Sequence, residues 1–320
     1  MTDREDIKDT LSRFIIGIDL GTTNSTISYV DTQSETPQVQ TLPIPQVIAP
    51  GEISSRETLP SYLFLPESST IRPDSLNLPW AKEECDFAVG IYAKNISAST
   101  PGKVVSSAKS WLCCENIDRK EKNLPVTGNA GERKLSSVET ISEYLRHMAS
   151  AWDFSMAKDD PTFTIFNQQV VLTVPASFDA VARELTVKAA EKAGLSVTLL
   201  EEPQAAFYAW LHEHQESFRE KIQPGETILV CDIGGGTTDF SLIGVDENEG
   251  DLELTRIAVG DHILLGGDNM DITLAYRLQQ KIGSRLNVKQ MAGLIHSCRT
   301  AKEKLSENTD LEEEKITVLG

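Results

Sequence analysis

Ile228-Leu229-Val230-Cys231-Asp232-Ile233-Gly234-Gly235-Gly236-Thr237-Thr238-Asp239-Phe240-Ser241-Leu242-Ile243 reads as a buried strand, a tight glycine turn and a second strand running back. The apolar run before Asp232 has strand length and is rich in β-forming residues. Three successive glycines leave their backbone N–H groups uncovered by any side chain. Thr237 and Thr238 stand beside them, and Asp232 and Asp239 bracket the turn. Bare amides and hydroxyls suit phosphate oxygens, and carboxylates suit the hydration shell of a cation. The stretch therefore fits a polyphosphate carrying a metal ion.

The same device occurs once more, near the other end of the chain. Phe14-Ile15-Ile16-Gly17-Ile18-Asp19-Leu20-Gly21-Thr22-Thr23-Asn24-Ser25-Thr26-Ile27 has the same order of apolar strand, aspartate, apolar residue, glycine, two threonines and returning strand. One such turn is weak evidence, because most glycine clusters only punctuate loops. Two copies imply an internal duplication, in which two lobes each offer a hairpin to one shared phosphate.

Composition narrows the setting. At 320 residues the chain has room for about two domains with sizeable cores. A net charge of −18 argues against a surface that tracks nucleic-acid phosphates or anionic membranes, since those need clustered Lys and Arg. The five cysteines include no Cys-x-x-Cys spacing, Cys113 and Cys114 are adjacent, and Cys231 falls within the expected buried strand. That usage supports neither a zinc site nor a redox motif and suits a reducing compartment. His212 and His214 are two apart, which on a helix separates them. Met1 to Arg13 reads as a polar tail without the apolar segment of a signal peptide, and no apolar run approaches bilayer length. A cytoplasmic protein is expected.

Between the hairpins the chain changes character. Residues 43–133 are punctuated by proline and glycine and read as an irregular insertion, with a strand over Thr58–Leu65 and one short helix over Val104–Leu112. Ser137–Trp152 carries Val138, Ile141, Leu145, Met148 and Trp152 near helical spacing. Val170–Pro175 is a wholly apolar strand of the kind found inside a covered sheet. Asp179 can cap the helix after it, and Gly194 can end that helix. Val197–Leu200 is a strand, and Pro203 fits the first turn of a helix running to about His214. Strand and helix alternate as in an α/β lobe. Gln223–Glu226 is the turn between lobes. After the second hairpin come a strand over Leu252–Val259, small residues at Leu265-Gly266-Gly267-Asp268 before a helix over Met270–Ile282, where an anion could bind, and a helix over Val288–Ser306.

These blocks resemble the nucleotide-binding domain of the seventy-kilodalton heat-shock (DnaK-like) chaperones, within the actin and sugar-kinase superfamily. The resemblance rests on Ile16–Ser25, Val171-Leu-Thr-Val-Pro-Ala-Ser-Phe178, Glu202-Pro203 with Ala205-Ala206, Asp232–Asp239 and Leu265–Asp268, in family order from residue 14 onward. It implies an α/β, two-lobed actin-like ATPase with a duplicated ribonuclease H-like motif. A tail at 1–13 would precede a first lobe at 14–222 and a second at 223–320, the latter comprising core hairpins to about 265 and part of an outer subdomain. It implies magnesium-dependent hydrolysis of ATP to ADP. A bare carboxylate beside the triphosphate would repel it by about 4 kcal/mol per charge pair at 4 Å, so Asp19 and Asp232 make sense with a cation between.

Carried over residue by residue, the resemblance assigns Asp19, Glu202 and Asp232 to magnesium through its waters. Gly21, Thr22, Thr23, Asn24, Gly234, Gly235, Gly236 and Thr238 would cradle the nucleotide, with Gly266, Gly267, Asp268, Lys302 and Ser306 on the adenosine side. Lys109 would reach the terminal phosphate with Thr237 beside it, and Asp239 closes the catalytic set. Pro175 and Arg183 match a relay to a partner domain. Client polypeptides, bound by a further domain, a J-domain co-chaperone and a nucleotide-exchange factor are the implied partners.

Departures are specific. Ser110 stands where many relatives carry a second basic residue. The loop Gly260–Asp268 runs one residue long, and Arg299 and Glu303 fall where relatives often have an acid and a base. The family pattern continues past Gly320 with the rest of the second lobe, so the second lobe is expected to be incomplete. On that basis ATP binding should weaken roughly tenfold to a thousandfold through two or three lost hydrogen bonds. A sugar-type kinase and an actin-like filament protein of the same superfamily are the alternatives.

Overall fold

The computed structural model describes residues 12–67, 71–114, 118–128, 133–158, 160–214, 217–248, 251–261 and 263–317. Most of the expected N-terminal tail lies outside the described residues. Arg13, its last residue, is anchored: its guanidinium donates to Asp31 at 2.7 Å.

Strands β1 (Phe14–Leu20) and β2 (Asn24–Asp31) form the first hairpin, extended by β3 (Gln40–Thr41). Later in the chain β10 (Gln169–Val174) and β11 (Val197–Glu201) join in parallel, giving the order β11-β10-β1-β2-β3. One face of this sheet is dry. Phe14, Ile16, Ile18 and Leu20 alternate along β1, Val170, Leu172 and Val174 along β10, and all are buried. They pack against two helices of the same core, Ser137–Trp152 and Ala180–Lys192. The period-2 and near-3.6 apolar patterns meet there, as the sequence predicts. Ser136 and Glu139 form a reciprocal cap on the first helix, and Asp179 accepts from Ala182 N at 2.6 Å on the second, while Gly194 leaves it at φ 83°.

The insertion at 43–133 is more regular than its prolines suggest. Strands β4 (Ile44–Ala49) and β5 (Glu52–Arg56) form a hairpin. The expected strand at Thr58–Leu65 breaks at Ser61 into β6 (Leu59–Pro60), which pairs with β2, and β7 (Tyr62–Phe64). Strands β8 (Ala88–Val89) and β9 (Val104–Ser106) flank β7, and α1 (Ile91–Ile96) packs on them. The helix expected over Val104–Leu112 is therefore a strand, a turn at Ser107 (φ 55°) and a 3-10 helix, Ser110–Cys113. Branched Val104 and Val105 favour the extended form and find antiparallel partners in Phe64 and Leu63.

In order along the chain, the two core helices are α2 (Ser137–Trp152) and α3 (Ala180–Lys192), followed by α4 (Glu202–Glu213) and the one-turn α5 (Phe218–Lys221). Strands β12 (Thr227–Ile233), β13 (Thr238–Asn248) and β14 (Asp251–Val259) then form a separate antiparallel sheet in that order. Helix α4 touches β10, β11 and β12 and so lies between the two sheets. Its Phe207 packs with Ile243, Val245, Ile228 and Val230 on one face of the second sheet. The opposite face of β12 is open: Leu229 is 57% and Ile233 63% exposed, and Cys231 is exposed as well. The strand expected to be buried is thus covered on one side only, because it lies at the sheet edge and α4 reaches one face. Helices α6 (Gly267–Ile282) and α7 (Val288–Glu307) pack together through Ala275, Leu294 and Cys298. Among the described residues no helix is long and apolar enough to cross a membrane.

Candidate functional site

The two hairpin turns meet. Gly21–Thr23 joins β1 to β2 and Gly234–Thr237 joins β12 to β13. A Cβ built on Gly235 would lie 1.8 Å from Thr23 Oγ1, and one on Gly236 2.9 Å from Thr22 Cγ2. Only glycine lets the turns approach so closely. Beside them opens a cleft of about 530 Å³ into which both strands deliver their aspartate. Asp19 lies on the face of β1 opposite the core, and Asp232 lies on the face of β12 that α4 covers. Glu202 is the first residue of α4, so the helix that separates the sheets points its acidic N-terminus into the gap.

Lys109 supplies the counter-charge. It is 8% exposed, its Nζ is 2.5 Å from Glu202 Oε1, and the Phe178 ring lies 6.0 Å away. Burial pushes the Glu202 carboxyl above its ordinary range; Lys109 pulls it back, while Asp19 and Asp232 push it further up. Three carboxylates and one ammonium thus feel one another across the cleft. Thr173 on β10 donates to Asp19 Oδ1 at 2.8 Å and fixes its orientation. Among the described residues, the N–H groups of Thr22, Thr23, Gly235 and Gly236 donate to no protein acceptor. Unpaired main-chain donors gathered on two turns form an anion-binding concavity. Among the described residues no three acidic, His or Cys side chains converge closely enough to ligate a metal directly. Spaced carboxylates facing a cleft fit an ion that keeps its water shell.

The expected site residues divide into three groups. Asp19, Gly21, Thr22, Thr23, Asn24, Lys109, Glu202, Asp232, Gly234, Gly235 and Thr237 line the cleft, and Gly236 abuts Thr22 beside it. A second group holds the glycine turn from behind. Gly267 N and Asp268 N donate to the carbonyls of Gly234 and Gly235 at 3.0 and 2.7 Å, and a Cβ on Gly266 would sit 2.6 Å from Gly234 O. Thr238 Oγ1 donates to Leu265 O at 2.7 Å, Asp239 accepts from Ser177 Oγ at 2.6 Å, and Lys302 Nζ donates to Gly267 O at 3.0 Å. A third group stands apart. Ser306 is exposed near the end of α7. Pro175 is buried just past β10, and Arg183 donates to Glu201 at 2.7 Å, a carboxylate that also accepts from Arg256 on β14.

The site contacts of Thr173 and Ser177 escape the sequence reading, and Arg299 is noted there only as a departure from the family pattern. Thr173 is the one hydroxyl in the Val170–Pro175 run, which the sequence reading treats as wholly apolar, and that hydroxyl is a usable signal. Arg299 is legible only in three dimensions: it donates to Asp268 at 2.6 Å, to Asp271 at 2.9 Å and to the Tyr62 hydroxyl of the insertion. Nearby, Lys94 of α1 pairs with Glu303 at 3.4 Å. The two departures from the family pattern on α7 are both contacts to the N-terminal part of the chain.

Comparison with known sequences matches residues 79–319 to the Hsp70 protein family. The chain belongs to the Hsp70 family. It is similar to the chaperone protein HscA homolog of Vibrio cholerae serotype O1 (strain M66-2), 31% identical over 95% of this chain and 43% of the relative. Chaperone protein HscA of Xenorhabdus nematophila is 32% identical over 85% of this chain and 38% of its own length, and that of Enterobacter sp. (strain 638) 31% over 92% and 42%. The Hsp70 chain described here therefore spans about two fifths of the curated relatives it matches.

Proposed function

We propose that this chain binds ATP with magnesium between the two hairpins and hydrolyses it to ADP and phosphate, as the nucleotide-binding part of an Hsp70-type chaperone. The observation that carries the reading is the set of unpaired N–H groups on two touching turns, flanked by Asp19 and Asp232. Amides of both turns would hold phosphate oxygens. The magnesium ion, when bound, supplies positive charge between the carboxylates and the phosphates. Asp19, Glu202 and Asp232 would hold its water shell, with Thr173 keeping Asp19 in place. Lys109, steadied by Glu202, would stabilise charge on the terminal phosphate and orient the attacking water, and Thr237 lines the same space. Rate enhancement then comes from positioning and electrostatics.

The two sheets would be the cores of two actin-like lobes, residues 14–222 and 223–320. Strand order β11-β10-β1-β2-β3 in the first and β12-β13-β14 in the second supports a duplicated ribonuclease H-like path. Coupling to client polypeptides, a J-domain co-chaperone and an exchange factor belongs to the same proposal, as does a cytoplasmic location. The Arg183–Glu201–Arg256 link between β11 and β14, with Pro175 nearby, supports a relay through the protein.

Calorimetric titration with ATP and magnesium tests the reading. We expect saturable binding by one nucleotide per chain, with magnesium dependence lost in both Asp19→Asn and Asp232→Asn. Variants that bind magnesium-ATP as tightly as the parent would overturn it.

A further inference from the structure

Ser110 carries a polar atom that the fold does not use. It opens the 3-10 helix Ser110–Cys113, directly after Lys109. Its Oγ is buried and has no hydrogen-bond partner among the described residues. It faces the glycine turn: a Cβ built on Gly236 would lie 3.3 Å from this oxygen. A buried hydroxyl without a partner destabilises a fold, and alanine would fill the same space without that cost. The N–H of Gly236 also lacks an acceptor. Two unsatisfied donors therefore stand on the same corner, on the side where the chain brings in the Lys109 ammonium. One acceptor oxygen placed there would satisfy both.

We propose that the Ser110 hydroxyl is a phosphate-contacting group that donates to the terminal phosphate of bound ATP and so favours ATP over ADP. The inference rests on the ATP reading above. Ser110 is not among the residues that line the cleft, and its hydroxyl lies against Gly236 of the glycine turn, so the contact forms as that turn adjusts to the bound phosphate. The terminal phosphate is the one assigned because Lys109, the group paired with Glu202 at the cleft, precedes Ser110 in the chain. ADP has no phosphate to place there.

The test compares ATP and ADP binding, each with magnesium, by calorimetry for the parent chain and Ser110→Ala, together with melting of both proteins without nucleotide. A lost hydrogen bond to a charged group predicts ATP binding weaker by roughly tenfold to a hundredfold. ADP binding stays unchanged, and the unliganded variant melts at the same or a higher temperature. Equal losses for ATP and ADP, or no loss for either, overturn the proposal while leaving the ATP reading intact. A lower melting temperature without nucleotide also overturns it, since the hydroxyl would then serve the fold through a buried water. A parent chain that binds neither nucleotide overturns both.

Discussion

The two hairpins carry the same residue pattern and live in different surroundings. Along β1, Phe14, Ile16, Ile18 and Leu20 are at most 5% exposed; along β12, Leu229 and Ile233 are 57% and 63% exposed. Both nonetheless end in a turn with free amides and deliver an aspartate to one cleft. The turn geometry is therefore a local property of the glycines, threonines and alternating strand. Stability is not local. It comes from the layers that cover each sheet, and α2 and α3 cover the first far more completely than α4 covers the second.

The widest gap between the hairpins should appear in stability. Ile18→Ala empties a fully buried site and should cost about 3–4 kcal/mol, whereas Ile233→Ala should stay within about 0.5 kcal/mol. Urea denaturation followed by far-ultraviolet circular dichroism measures both. Similar losses would mean that the open face of β12 is covered in solution.

Acid should strike the first sheet's surroundings next. His147 on α2 is 6% exposed, and its Nε2 lies 2.9 Å from the Pro45 carbonyl. Burial holds its pKa down at about 4, against 6.5 for the free side chain, although the carbonyl opposes the shift. The unfolded chain therefore takes up the proton first as pH falls. The stability tied to neutral His147 is present above pH 6.5 and is lost as pH drops through about 4, a change of about 3 kcal/mol. In His147→Gln the slope of stability between pH 6.5 and 4 should flatten. An unchanged slope would assign the acid sensitivity elsewhere.

The same contrast explains what the sequence reveals. Helix α2 over Ser137–Trp152 is legible to the residue, because its period and its Ser136–Glu139 cap are written locally. The cleft is legible because each half is a contiguous motif. Strand β9 is not, since Val104 and Val105 become a strand only by pairing with Phe64 and Leu63, some forty residues earlier. Exposure of Cys231 is hidden for a related reason: an apolar strand at an edge and one at a centre read alike. Arg299 gains its meaning from Tyr62, Asp268 and Asp271, three residues on two separate segments. What depends on long-range pairing stays unreadable from a single window of sequence.

The smallest effect on stability, but the sharpest on the pairing of the hairpins, should come from two glycines. A Cβ at Gly17, inside β1, meets nothing within 4 Å, so Gly17→Ala should leave nucleotide binding unchanged and stability altered by less than about 1 kcal/mol. A Cβ at Gly235 falls 1.8 Å from Thr23 Oγ1 and 3.0 Å from Thr23 Cβ. The hydroxyl can rotate, but the β-carbon moves only with its turn, so Gly235→Ala must spread the two turns apart. Magnesium-ATP affinity should fall about tenfold while the urea midpoint barely shifts. Adding Thr23→Ala removes the hydroxyl and leaves the β-carbon, so the double variant should recover part of the loss. Full recovery would locate the clash in the hydroxyl alone; no recovery, with Gly235→Ala as damaging to stability as a core substitution, would mean that the touching turns hold the fold as well as the phosphate.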